Sequence, residues 1–107
     1  MQNIQFDYLF RDEDNYKEFG SVVFSNPQKL TIDFVETQIK KHLIEGAWFN
    51  PDQWHIPRFS FHQISLFGIN ELVWYEFDNI SYTKTPPTHQ SIDLFIDIIQ
   101  KVVPKNF

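Results

Sequence analysis

The sequence predicts an α+β fold: a single antiparallel four-stranded sheet with two helices packed on one face, in the order β-β-α-β-β-α. Three observations carry this. Apolar and polar residues alternate from Ile4 to Arg11, apolar residues recur at spacings of three and four in two later stretches, and further alternating runs lie between those stretches. Four half-apolar strands offer one face to two helical stripes and leave the other face open.

In chain order, Ile4, Phe6, Tyr8 and Phe10 alternate with Gln5, Asp7, Leu9 and Arg11, which gives a strand with one buried face. Asp12-Glu13-Asp14-Asn15 suits a polar loop, and Gly20 to Ser25 is extended again, so the two runs form an antiparallel hairpin. Asn26-Pro27 ends it, because proline lacks the ladder N–H. Thr31 can cap a helix carrying Ile32, Val35, Ile39 and Leu43 on one stripe. Asp33 near its start and Lys40-Lys41 near its end complement the helix dipole, and Gly46 is expected as the stop. Asn50-Pro51 resembles a cap followed by a helical turn through Asp52-Gln53, ended by Pro57, with Trp48, Phe49 and Trp54 as core plugs around it.

Phe59 to His62 alternates and is expected as a strand, paired in a second hairpin with Leu72 to Phe77 beyond Gly68-Ile69-Asn70. Thr85-Pro86-Pro87-Thr88 is a stiff connection. Ser91 then caps a closing helix with Ile92, Phe95, Ile96, Ile99, Val102 and Val103 on one stripe, ended by Pro104. Trp74 alternates with Leu72 and Glu76, whereas Tyr75 lies with Val73 and Phe77. One set must face away from the helices, and alternation alone does not decide which.

With 107 residues, the chain is read as one domain spanning 1–107, long enough to close a core without staples. The absence of cysteine removes disulfides, a thiolate nucleophile and thiolate metal sites. Twelve Phe, four Tyr and three Trp argue against disorder, since each buried ring removes about 150–250 Å² from water. The net charge of −5 disfavours direct nucleic-acid binding and favours a basic protein partner. No segment reaches the length of a membrane span, and Met1 to Asp7 does not resemble a signal peptide, so the expected address is the cytoplasm.

Chemistry-bearing patterns are sparse. His42, His55, His62 and His89 show no metal-ligand spacing, no serine lies in a nucleophile elbow, and three glycines are too few for a phosphate-cradling loop, so no cofactor or metal is expected. Glu76 and Asp78 share a strand face; they read either as a solvated face or, with His62, as the acid-base set of a small hydrolase or isomerase. No reaction-specific spacing supports the enzyme, and the chain is read as non-catalytic. Asp12, Glu13, Asp14 and Glu18 are clustered at one hairpin end, either as a solubilising loop or as a surface that captures a cationic partner. Tyr16, Trp74 and Tyr75 are the aromatics placed to anchor such a contact.

Phe6-Asp7-Tyr8-Leu9-Phe10-Arg11-Asp12, Asn15-Tyr16-Lys17, Gly20 to Phe24 and Asn26-Pro27 resemble a group of small acidic bacterial proteins, as do Leu43 to Gly46, Trp48-Phe49-Asn50-Pro51, Trp54 with Pro57, and Trp74 to Phe77. The group looks like immunity proteins encoded beside toxins, including those of contact-dependent growth inhibition systems. The resemblance implies a protein that binds and neutralises the C-terminal domain of a cognate toxin, commonly a nuclease, in the cell that makes it. Arg11, Asp12, Asn15 and Tyr16 are then expected to hold the hairpin loop, leaving Glu13, Asp14 and Glu18 for the toxin. The expected contact set is Asp12, Glu13, Asp14, Tyr16, Glu18, Trp74, Tyr75, Glu76 and Asp78. Two alternatives stay open: a non-catalytic interaction module or small-ligand carrier, and a homodimer through the open sheet face.

Overall fold

The computed structural model describes residues 2–62 and 73–102. Four strands and two helices follow in order: β1 (Asn3–Arg11), β2 (Lys17–Phe24), α1 (Ile32–His42), β3 (Trp48–Phe49), β4 (Tyr75–Thr83) and α2 (Ile92–Gln100). The strands form one antiparallel sheet in the spatial order β2-β1-β4-β3. The fold class is the one expected from the sequence.

Alternation in β1 sends Ile4, Phe6 and Tyr8 into the core, where they meet Val22 and Phe24 of β2. Both helices bury their stripes in the same cluster, α1 through Val35 and Ile39, α2 through Ile92, Phe95, Ile96 and Ile99. The centre is aromatic: Phe95 stacks on Phe24 at 4.5 Å and meets Phe6 edge-on at 5.5 Å. Trp54, buried to 1% exposure, stacks on Phe49 at 4.7 Å. Such offset and edge-on pairs add to what burial alone contributes.

β4 carries an irregularity that its sequence conceals. Asp7 pairs with Asn79 but Tyr8 pairs with Phe77, so Asp78 is the extra residue of a bulge. The bulge reverses the parity of the strand. Tyr75 and Phe77 face the core before it, and Ile80 faces the core after it. This decides the alternation left open above: Val73 and Tyr75 are buried, and Trp74 and Glu76 point to the face away from the helices.

Several local expectations are corrected. Phe59 to His62 is not a strand; Ser60–His62 is a single 3-10 turn closed by His62 N–H donating to the Phe59 carbonyl. The strand beside β4 is Trp48–Phe49, a segment read from sequence only as core plugs. The alternation at 59–62 reflects ring stacking instead, with Phe59 on Phe61 at 5.5 Å. The expected segment around Gly68, Ile69, Asn70 and Leu72 lies outside the described residues, as do Val103 and Pro104. α1 stops at His42 because Leu43 turns extended, and Gly46 serves the next turn rather than the helix end.

The two helix starts differ. Thr31 caps α1 as expected, its Oγ1 accepting from the Phe34 N–H at 3.2 Å. Ser91 occupies the cap position of α2 without a side-chain bond. The first helical N–H, that of Ile92, donates to the Ser25 carbonyl at 2.8 Å, which ties α2 to the end of β2.

Candidate functional site

The β1–β2 hairpin brings Asp12, Glu13, Asp14, Tyr16 and Glu18 together at one end of the sheet, all exposed. Asp12 builds the loop: its Oδ1 accepts from the N–H groups of Asp14 at 2.9 Å and Tyr16 at 2.8 Å. Asn15 adopts φ 64°, a conformation asparagine tolerates, and its side-chain oxygen accepts from Arg11. Arg11 also reaches Glu76 Oε2 at 3.2 Å, which ties the loop to β4. Among the described residues the carboxylates of Glu13, Asp14 and Glu18 have no hydrogen bond or ion pair and stand in solvent. Beside them Tyr16 is 74% exposed and Phe19 61% exposed.

The same surface continues across the sheet face that the helices leave open. Leu9 pairs with Phe19 on one side and with Glu76 on the other, and Glu76 pairs with Trp48 on β3. The Trp48 indole N–H donates to Glu76 Oε1 at 3.3 Å. Glu76 is therefore held between an indole and a guanidinium, with its side chain only 20% exposed. A cavity of about 300 Å³ opens beside Trp48, lined by Ile44, Glu45, Trp48 and Trp74. Asp78 is exposed at the bulge.

Tyr75 does not belong to this surface. It is fully buried and stacks on Tyr8 at 5.6 Å, its hydroxyl accepting from the Phe59 N–H at 3.0 Å and bonded to His62 Nδ1 at 2.8 Å. Burial pushes its phenol above the ordinary value, so it stays protonated at neutral pH. The same bond separates His62 from the acid-base set weighed above. His62 sits on the core side against Tyr75 and Phe10, whereas Glu76 lies on the opposite face.

The chain matches no family model, no curated protein and no solved structure. Its function has to be read from its own residues. Sequence reasoning missed Trp48, Phe19 and Glu45 as surface residues. The dipeptide Glu45-Gly46 before Trp48 was the available signal, since a tight turn there swings the tryptophan onto an edge strand.

A second cavity, about 560 Å³, lies between the 51–62 segment and the loop before α2, lined by Pro51, Asp52, His55, Ile56, Pro57, Arg58, His62 and His89. Arg58 bonds Asp52 in a two-point pair, Nε to Oδ1 at 2.9 Å and Nη2 to Oδ2 at 2.6 Å. That bond holds the Asp52 carboxyl below its usual range. Three histidines line this cavity, yet no group of three or more His, Cys, Asp or Glu among the described residues is arranged to hold a metal ion.

Burial pushes the His89 pKa below its ordinary 6.5. The unfolded chain then takes up this proton more readily than the folded one, so His89 removes stability as pH falls from 6.5 toward the depressed folded value. Urea midpoints at pH 7.5 and 5.5 should therefore differ less in His89→Gln than in the parent chain.

Proposed function

We propose that this chain is an immunity protein that binds and neutralises the C-terminal domain of a cognate toxin, a basic nuclease, in the cytoplasm of the cell that makes both. The observation that carries it is the hairpin end, where the carboxylates of Glu13, Asp14 and Glu18 have no hydrogen bond or ion pair among the described residues and flank exposed Tyr16 and Phe19. The loop geometry is already secured by Asp12, Asn15 and Arg11, so those three carboxylates are left for a partner. A nuclease groove is cationic because it holds phosphates. Carboxylates on a rigid hairpin can occupy such a groove while aromatic rings anchor the contact. Inhibition of this kind needs no catalytic residue in the inhibitor. No helix among the described residues is long and apolar enough to cross a membrane.

Co-expression with the toxin domain encoded beside it tests this reading. The expected result is restored growth and a complex that survives purification; neither rescue nor complex would end the proposal.

One observation favours the alternative of a small-ligand carrier, namely the histidine-lined cavity of about 560 Å³, a volume in the range of small-molecule sites. Saturable shifts of the His55 and His89 imidazole signals with inorganic phosphate, together with a failure to protect cells, would move the assignment there.

A further inference from the structure

We infer that the cavity lined by Ile44, Glu45, Trp48 and Trp74 receives one arginine side chain from the basic partner. The inference rests on the reading of a cationic partner and names the contact by which that partner is gripped. Its first support is the lining itself. Two indoles and an isoleucine supply apolar walls for an aliphatic stem, and the Glu45 carboxylate supplies the counter-charge for a guanidinium at its end. Tryptophan is the ring that attracts a cation most strongly, and guanidinium groups also stack flat on indoles. At about 300 Å³ the cavity suits one long side chain rather than a larger ligand.

The second support is the backbone. Ile44 to Ala47 is a tight turn in which the Ala47 N–H donates to the Ile44 carbonyl at 3.1 Å, and the pairing of Ile44 with Trp48 closes it. Both central residues have positive φ, 52° at Glu45 and 72° at Gly46. Turns with positive φ at both central residues favour asparagine, aspartate or glycine at the first of them, where a glutamate is strained. A glutamate held there against its own preference, with its side chain exposed beside two tryptophans, points to a use for the carboxylate beyond the fold. The Trp48 indole is in turn oriented by its bond to Glu76 at 3.3 Å, and Arg11 fixes Glu76 from the other side. The pocket wall is thus connected, through Glu76 and Arg11, to the acidic hairpin.

The test uses the intact chain and the indole N–H signals of Trp48 and Trp74, with buried Trp54 as an internal reference. The probe is acetyl-Gly-Arg-Gly-amide, compared with its citrulline counterpart, which keeps the shape and lacks the charge. Saturable shifts of Trp48 and Trp74 with the arginine peptide are expected, about fivefold weaker for citrulline and about fivefold weaker in Glu45→Gln. Glu45→Asn, which suits the turn, should keep or raise the urea midpoint while losing the same binding, so that lost affinity is not lost fold. No saturable shift, or equal binding of the two peptides, overturns the inference. Cell protection separates the two claims: a chain that protects cells but ignores the peptide loses the pocket and keeps the function, and a chain that binds the peptide but never protects does the reverse.

Discussion

Replacing Trp54 by alanine should destabilise the fold by about 3–5 kcal/mol, a large part of the roughly 5–15 kcal/mol that a domain of this kind has in total. Trp54 is buried to 1% and is reached from three sides: Phe49 stacks on it at 4.7 Å, Phe95 meets it edge-on at 5.8 Å and Phe6 lies at 6.4 Å. Its position is fixed locally as well. Asn50 Oδ1 accepts from the N–H groups of Asp52 and Gln53, and the Trp54 N–H donates to the Asn50 carbonyl at 3.2 Å. Phe6, Phe49 and Phe95 are themselves buried to 1% or less, so they have little freedom to close the void. Urea denaturation followed by circular dichroism would read the loss directly; a cost below about 1 kcal/mol would mean that the segment is not part of the cooperative core.

Gly20→Ala is the second large effect, and its sign runs against propensity. In a strand interior alanine is ordinarily better than glycine by about 0.5–1 kcal/mol. Here a Cβ would stand 2.8 Å from Tyr8 Cζ, 2.9 Å from Tyr8 Cε2 and 2.9 Å from Phe59 Cε1. Tyr8 cannot retreat, because it is buried, stacked on Tyr75 and tilted against Phe59, with centroids 5.6 Å from each. Overpacking of this order costs about 1–3 kcal/mol, so the urea midpoint should fall. A rise would show that β2 can move away from the ring cluster.

The parts of the fold legible in the sequence were those set by a single period. Ile4 to Phe10, Thr31 with Val35 and Ile39, and Ile92 to Ile99 each declared themselves by spacing. What was hidden depended on exchange between levels. The bulge at Asp78 breaks the period of β4, so no alternation rule could carry the strand from Tyr75 on to Thr83. Phe59 and Phe61 mimic a strand because two stacked rings two residues apart look like alternation. Ser91 has the right identity for a cap but makes no side-chain cap bond, and the helix start is tied instead through the Ile92 N–H to the Ser25 carbonyl. The acidic end of the site was legible because it is contiguous in sequence. Its extension through Trp48 and Glu45 was not, since it is made by pairing β3 with β4 across the intervening chain. Tyr75 shows the converse: an aromatic beside a carboxylate looks like an anchor until the strand's parity is known.

The proposed function turns on charge at the hairpin end, and the association rate with the basic toxin domain measures that charge most directly. Glu13→Lys, Asp14→Lys and Glu18→Lys change three carboxylates that have no hydrogen bond or ion pair among the described residues, so the combined variant should keep its urea midpoint. Its association rate at low salt should fall by about tenfold or more, and raising the salt should slow the parent chain far more than the variant. An association rate equal to the parent's, with the same salt dependence, would contradict the assignment of this hairpin as the surface that captures a cationic partner.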